Sequence, residues 1–240
     1  MPYRPPTLDS FRNGRELFPG IGLADLEQDG PCAGAARTVQ RKRMPETATI
    51  RQHPERALPD LAPDILTRGL VAHVGFVDEG RPCVIPMSYH YDPGVPDRLY
   101  LHGSLSSRAL DRAASGDPVS ACVTTLEGLV YSRTALYHSM NYHSVVCFGR
   151  GRMVADTAQK DRLLRAMIGR YFAGRTAGVD YEAPPVDHLT GTALVEVTIE
   201  QWSAKARTGG PKGPRDADSE ALGTCGVAPL PYNEETPTGR

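Results

Sequence analysis

Residues Leu70–Leu101 read LVAHVGFVDEGRPCVIPMSYHYDPGVPDRLYL. Val and aromatic residues crowd Leu70–Val77, and Asp78-Glu79-Gly80 supplies a turn. Cys83–Tyr91 is then the return strand of a β-hairpin. Asp92-Pro93-Gly94 reverses the chain again, and Arg98–Leu101 is a third strand. Parallel neighbours need a long crossover, and these turns leave no room for one. The three strands are therefore an antiparallel meander and not a βαβ unit.

The pattern extends in both directions from this meander. Upstream, Asp60–Arg68 is predicted to be a short helix, with Pro63 in its first turn and Gly69 at its end. Downstream, Val119–Leu126 and Leu129–Tyr137 read as two strands, and Tyr142–Ala155 as a long one. Gly149 and Gly151 within the latter mark a bulge or a close backbone approach. Asp156 and Gln159 open the clearest helix, Ala158–Ala173, whose Leu163, Leu164, Met167, Ile168, Tyr171 and Phe172 fall on one face. Residues 174–190 form a Gly/Pro loop, Thr192–Ile199 alternates as a half-buried strand, and the remainder reads as extended loop. Six or seven antiparallel strands with two or three helices at the connections make a mainly β chain, a closed or partly closed barrel with helical insertions.

Chemistry concentrates in Leu99–Arg112, LYLHGSLSSRALDR. A strand turns at His102-Gly103-Ser104 and enters a helix whose first turn holds Ser106, Ser107 and Arg108. Unpaired N–H groups at a helix start, two hydroxyls and a guanidinium fork suit an anion, above all a phosphate. Elsewhere the signals are bland. His138 and His143 flank a presumed turn and lack a carboxylate pattern for zinc. Thr208–Pro214, TGGPKGP, lacks the GxxxxGK[ST] spacing and reads as a loop, not a nucleotide cradle.

Composition narrows the classes. The chain has 240 residues with 27 Lys+Arg against 28 Asp+Glu, so no overall charge points to nucleic acid or an acidic membrane. No apolar run approaches membrane-spanning length, and the N-terminus lacks the apolar core of a signal peptide, which makes a cytoplasmic location the expectation. The five cysteines are scattered without a CxxC pair, and Cys122 and Cys147 lie in apolar runs as core residues. Residues 1–45 are expected to be a flexible N-terminal tail, rich in Pro, Gly and charge, and 46–240 one domain with an extended C-terminal segment. Met44 directly follows Arg41-Lys42-Arg43, which makes the tail a candidate upstream extension.

Three segments, Arg81–Tyr91 (RPCVIPMSYHY), Leu99–Arg108 (LYLHGSLSSR) and Ser139–Arg152 (SMNYHSVVCFGRGR), together resemble the FMN-binding split-barrel family related to pyridoxamine 5′-phosphate oxidase, in the branch that includes nitroimidazole-resistance proteins. The resemblance spans about residues 51–231. It implies a six-stranded antiparallel split barrel, a homodimer and FMN in clefts between subunits. Ser107 and Arg108, with Ser104 nearby, fall where family members hold the flavin phosphate. The strand Val84, Ile85, Pro86, Met87 and Ser88 falls where backbone lines the flavin ring, and Asn141, Tyr142, His143 and Ser144 fall on the facing strand. His102 takes the place of a histidine near the flavin and is a candidate proton donor.

Departures from the family pattern refine the expectation. His143 stands where relatives often have Arg, and Thr224 where they often have Trp. The Arg-x-His pair with which true pyridoxamine-phosphate oxidases hold their substrate has no match, so vitamin B6 oxidation is not expected. The resemblance implies an FMN-dependent oxidoreductase acting on a small planar molecule; the charge balance, the hydropathy and the histidine spacing give the expectation of no nucleic-acid or membrane partner and no metal site. The competing readings are a non-catalytic flavin-binding module and the same barrel using deazaflavin F420 or heme.

Overall fold

A computed structural model describes residues 48–230. The expectations for the N-terminal tail, and for the last ten residues of the domain, lie outside the described residues. Within them the chain runs α1 (Ala62–Arg68), β1 (Ala72–Asp78), β2 (Arg81–Met87), β3 (Tyr89–His90), β4 (Arg98–Ser104), α2 (Arg108–Ala114), β5 (Pro118–Tyr131), β6 (Ser139–Met153), α3 (Thr157–Tyr171), α4 (Val186–Gly191), β7 (Thr192–Arg207) and β8 (Gly226–Pro229).

All strand pairs are antiparallel, in the order β2-β1-β5-β6-β7-β4-β3, with β8 added to β5. The two ends of that order, β2 and β3, are consecutive in the chain and separated only by Ser88. The segment Arg81–His90 therefore bonds to β1 with its first part and to β4 with its last. That shared strand curls the sheet into a barrel and leaves a split where it changes partner. Counted as one, it gives six barrel strands, as the family resemblance implies, with β8 as an appendix.

Period-2 alternation fills the interior. Ala72, Val74 and Phe76 of β1, Val119, Ala121 and Val123 of β5, and Ala193, Val195 and Val197 of β7 are all buried. Each fully buried Val or Leu contributes about 1.5–3 kcal/mol. Helix α2 closes one end of the barrel with Ala109, Leu110 and Ala113, which join the same core. Gly103 and Gly151 permit that approach, since a Cβ there would sit 3.1 Å from Leu110 Cδ1 and 2.9 Å from Ala113 O.

Several boundaries differ from the sequence reading, for physical reasons. The two strands expected at 119–137 are one, β5, because Glu127 is absorbed as a bulge between Leu126 and Gly128 while both halves stay paired with β6; it ends at Tyr131, and Ala135–Tyr137 is a 3₁₀ turn instead of strand. β7 runs on past Ile199 to Arg207 after a second bulge, where Phe148 and Gly149 face Gln201 and Ile199. Gly149 is required there, because a Cβ would press into Thr198 O. Gly69 ends α1 with an extended backbone, not a left-handed one, and is needed because a side chain would overlap Val123. Asp156 caps α3 by accepting from Gln159 N at 2.6 Å. Cys147 lies in the core, whereas Cys122 faces outward and is half-buried. No helix among the described residues is long and apolar enough to cross a membrane.

Candidate functional site

The split exposes two strand edges. Among the described residues β2 bonds only to β1, and β4 beyond His102 bonds only to β7, so backbone groups on both sides of the gap have no strand partner there. Pro82 and Pro86 are tolerated on β2 because one of its edges is free. Along this segment Val84, Pro86 and Ser88 point outward, while Cys83, Ile85 and Met87 pack against the core. Tyr89 pairs with Leu101 and His90 with Tyr100, so continuing the register by one residue sets Ser88 opposite His102. The structure thus brings together Val84–Ser88, His102 and Ser104 around one gap.

His102 is half-buried, and its Nδ1 has no hydrogen-bond partner among the described residues. Burial holds its imidazole below the ordinary histidine range, so the ring is neutral at pH 7. A neutral ring can donate from one nitrogen and accept at the other, so the buried Nδ1 keeps one hydrogen-bonding valence unused.

Ser104 Oγ and Ser106 Oγ lie 2.8 Å apart, and Ser106 N donates to Ser104 Oγ at 3.2 Å. Ser107 is the N-cap of α2, yet its hydroxyl makes no capping bond. Because α2 has only 7 residues, its dipole adds little, and the hydroxyls and Arg108 carry the anion reading. Arg108 is 69% exposed and reaches Asp78 Oδ2 at 3.1 Å. Asp78 is held chiefly by Arg112, whose Nε and Nη2 reach Oδ1 at 3.1 and 2.9 Å. Arg112 first and Arg108 second hold the Asp78 carboxyl below its ordinary range. With Asp78 already neutralised by Arg112, Arg108 is free to turn to another anion. Sequence reasoning took Asp78 as a turn residue, and no local signal links it to arginines 30 and 34 positions on.

The β6 residues do not join this group within one chain. Val84 lies opposite Gly75, Gly75 opposite Ser120 and Ser120 opposite Phe148, and Ser144 is four residues further along β6. Strand spacing and rise put roughly 20 Å of sheet between Val84 and Ser144. Asn141 Nδ2 donates to Gly209 O at 3.1 Å, and Asn141 Oδ1 accepts from Arg207. His143 Nδ1 lies 2.6 Å from Glu127 Oε1, on the β5 bulge. Tyr142 lies under Lys205 Nζ, and Ser144 is buried beside a cavity of about 260 Å³ under Thr49–Gln52.

A cluster missed at the sequence level pins β4 from outside. Glu196 is buried and accepts from Arg152 Nε at 3.1 Å and Tyr100 Oη at 3.3 Å, with Arg98 Nε at 3.5 Å. Burial first, then the Glu196 charge, pushes the Tyr100 hydroxyl up to about 12. Tyr100 also lies against His90, their ring centroids 6.0 Å apart.

Comparison with known proteins agrees with this architecture. No curated protein sequence matches the chain. Among solved structures, the flavocytochrome Anf3 from Azotobacter vinelandii is 27% identical, with a TM-score of 0.66 over 80% of this chain and 88% of its own. The FAD and heme binding protein from Mycobacterium smegmatis is 28% identical, with a TM-score of 0.65 over 77% and 91%. A 5-nitroimidazole antibiotic resistance protein from Bacteroides thetaiotaomicron shares the fold at 22% identity, with a TM-score of 0.51 over 62% and 86%. The family model described as pyridoxamine 5′-phosphate oxidase matches residues 60–206, well over half of the chain. With that match and a barrel split at Ser88, the chain belongs to the pyridoxamine 5′-phosphate oxidase family of flavin-binding split barrels.

Proposed function

We propose that this protein is a flavin-dependent oxidoreductase that acts on a small, planar, electron-poor molecule. The observation that carries the reading is the split itself, two unpaired backbone edges with an exposed, replaceable Arg108 beside them. Unpaired N–H and C=O groups match the alternating donors and acceptors along the flavin ring edge. Ser104, Ser107 and Arg108 hold the phosphate that FMN and the flavin half of FAD share. His102 offers Nδ1 to the ring or substrate as a hydrogen-bond partner or proton donor. Flavin supplies the redox chemistry, and the chain supplies binding and orientation.

The separation of Asn141–Ser144 supports a homodimer, in which the half-buried Tyr142 and His143 of a second copy complete the site of the first. The outward Val84 and Val77, both more than half exposed, give such a contact an apolar start. A second reading, heme beside the flavin, draws on the two solved structures above 25% identity, a flavocytochrome and an FAD and heme binding protein.

Native mass spectrometry with absorption spectra tests all of this on the purified full chain, since it reports cofactor mass and copy number together. A yellow protein absorbing at ~450 nm, bleached by NAD(P)H and reoxidised by an acceptor, is expected. An intense porphyrin band in addition supports the second reading. A yellow protein that no nicotinamide reduces points to a non-catalytic flavin module. A colourless protein that takes up neither FMN nor FAD refutes the proposal.

A further inference from the structure

The loop Thr208–Pro214, which lacks the spacing of a phosphate-binding motif, nevertheless reaches a second site. Thr208 and Lys212 line a cavity of about 500 Å³ at the end of the barrel where β6 begins and β7 ends. Three permanent cations, Arg56, Arg207 and Lys212, face it with one carboxylate, Glu55. Arg207 donates to Asn141 Oδ1, to Gly209 O and to Gly210 O, and none of these neutral acceptors cancels its charge. Glu55 is shared, lying 3.0 Å from His53 Nδ1 and 3.9 Å from Arg56 Nε. Lys212 is exposed.

One wall is apolar and open. Leu136 is 95% exposed and Tyr137 is 45% exposed, on the short 3₁₀ turn before β6. The volume is that of a small-molecule site, not of a groove for a folded partner. Cations gather phosphate oxygens, and an aromatic wall takes a planar base.

We infer that this cavity binds the phosphates and base of a free nucleoside diphosphate. Within one chain it is a different place from the Arg108 group. Ser104 lies opposite Thr192 at the first residue of β7, and Arg207 is its last, so the strand's 16 residues separate the two.

Isothermal titration of the full chain with ADP tests the inference, first as purified and then after saturation with FMN or with FAD. One ADP site per chain is expected, and Lys212→Gln and Arg56→Gln are each expected to weaken it about five- to tenfold. Adenosine alone and pyrophosphate alone bind less tightly, because each fills half of the site. Arg108→Ala leaves ADP affinity unchanged. ADP affinity is expected to be the same before and after saturation with either flavin; competition from FMN or from FAD places ADP in the flavin site and overturns the inference. No heat with ADP on folded protein overturns the inference. So does a loss of ADP binding in Arg108→Ala with Lys212→Gln unaffected, which places ADP in the flavin site. The titration is read even if no flavin binds, so its failure and the failure of the flavin reading are separate results.

Discussion

Arg108→Ala tests the anchor directly, and its size follows from the geometry. In the structure the guanidinium makes one bond, to Asp78 Oδ2 at 3.1 Å, with 69% of the side chain in solvent. Asp78 keeps both bonds from Arg112 when Arg108 is removed. Exposed ion pairs add little to stability, so the melting temperature of the variant should stay close to wild type. A flavin phosphate loses charge-assisted bonds worth about 1.5–3 kcal/mol, which is about a ten- to hundredfold loss of affinity. Flavin fluorescence quenching, titrated with both FMN and FAD, reads this directly. Asp78→Asn supplies the control, because it removes the competing carboxylate and releases Arg108; it should bind flavin at least as tightly as wild type. Unchanged affinity in Arg108→Ala refutes the anchor. Equal weakening in Asp78→Asn and Arg108→Ala also refutes it, since that pattern belongs to an arginine that matters only through Asp78.

Other perturbations probe the frame around the split. Arg170→Met strips the donors that serve the carbonyls of Leu66, Gly69 and Tyr89 and should cost about 3 kcal/mol, lowering the melting temperature by roughly 6–12 °C in calorimetry. Gly149→Ala drives a Cβ into Thr198 O and should cost about 3 kcal/mol or more, whereas Gly169→Ala, with open space around it in α3, should be neutral or stabilising by about 0.5–1 kcal/mol in urea unfolding. Burial lowers the imidazoles of His90 and His102 below their unfolded values, with Arg170 adding to the effect at His90. The unfolded chain then binds more protons than the native one, so stability should fall as pH drops from the ordinary histidine range toward the lowered native values. Urea midpoints between pH 7.5 and pH 5 should fall less in His102→Gln, and a slope identical to wild type would contradict the assignment.

Legibility in the sequence followed the range of the forces involved. The meander Leu70–Leu101 was readable because turn chemistry and period-2 alternation are local, and the hairpin of β1 and β2 turns at Glu79-Gly80, within the expected triplet. Glu127-Gly128 misled for the same reason, since two residues that punctuate a chain locally can be absorbed as a bulge when one long partner, β6, spans them. Of the site, the residues on one continuous stretch, Ser104, Ser107 and Arg108, were visible together. Those assembled across the chain were not. Nothing near Asp78 announces Arg112, and nothing near Glu196 announces Arg98, Tyr100 and Arg152. Such clusters exist only once strand order has been set.

The least visible of these clusters fixes the split. Where the shared strand leaves β1 for β4, Tyr89 turns its hydroxyl inward and donates to Leu66 O at 2.6 Å. Its backbone N–H donates to Tyr171 Oη at 3.0 Å, and Arg170 stacks on its ring 4.2 Å from the centroid. The same Arg170 serves the last carbonyls of α1, a position that also favours a cation at a helix C-terminus. Burial in this nest drives the Tyr89 hydroxyl far above the ordinary tyrosine range, so it stays a neutral donor at any pH the fold survives. Strand, α1 and α3 are thus locked at the single residue after Ser88. The split can then keep its two edges apart without the strand sliding back to close them, because a one-residue slip would turn Tyr89 outward and break the bonds that Arg170 and Tyr171 make to its backbone. A split in a closed sheet needs such a lock on its buried side, and the residues that make it pack away from the open edges.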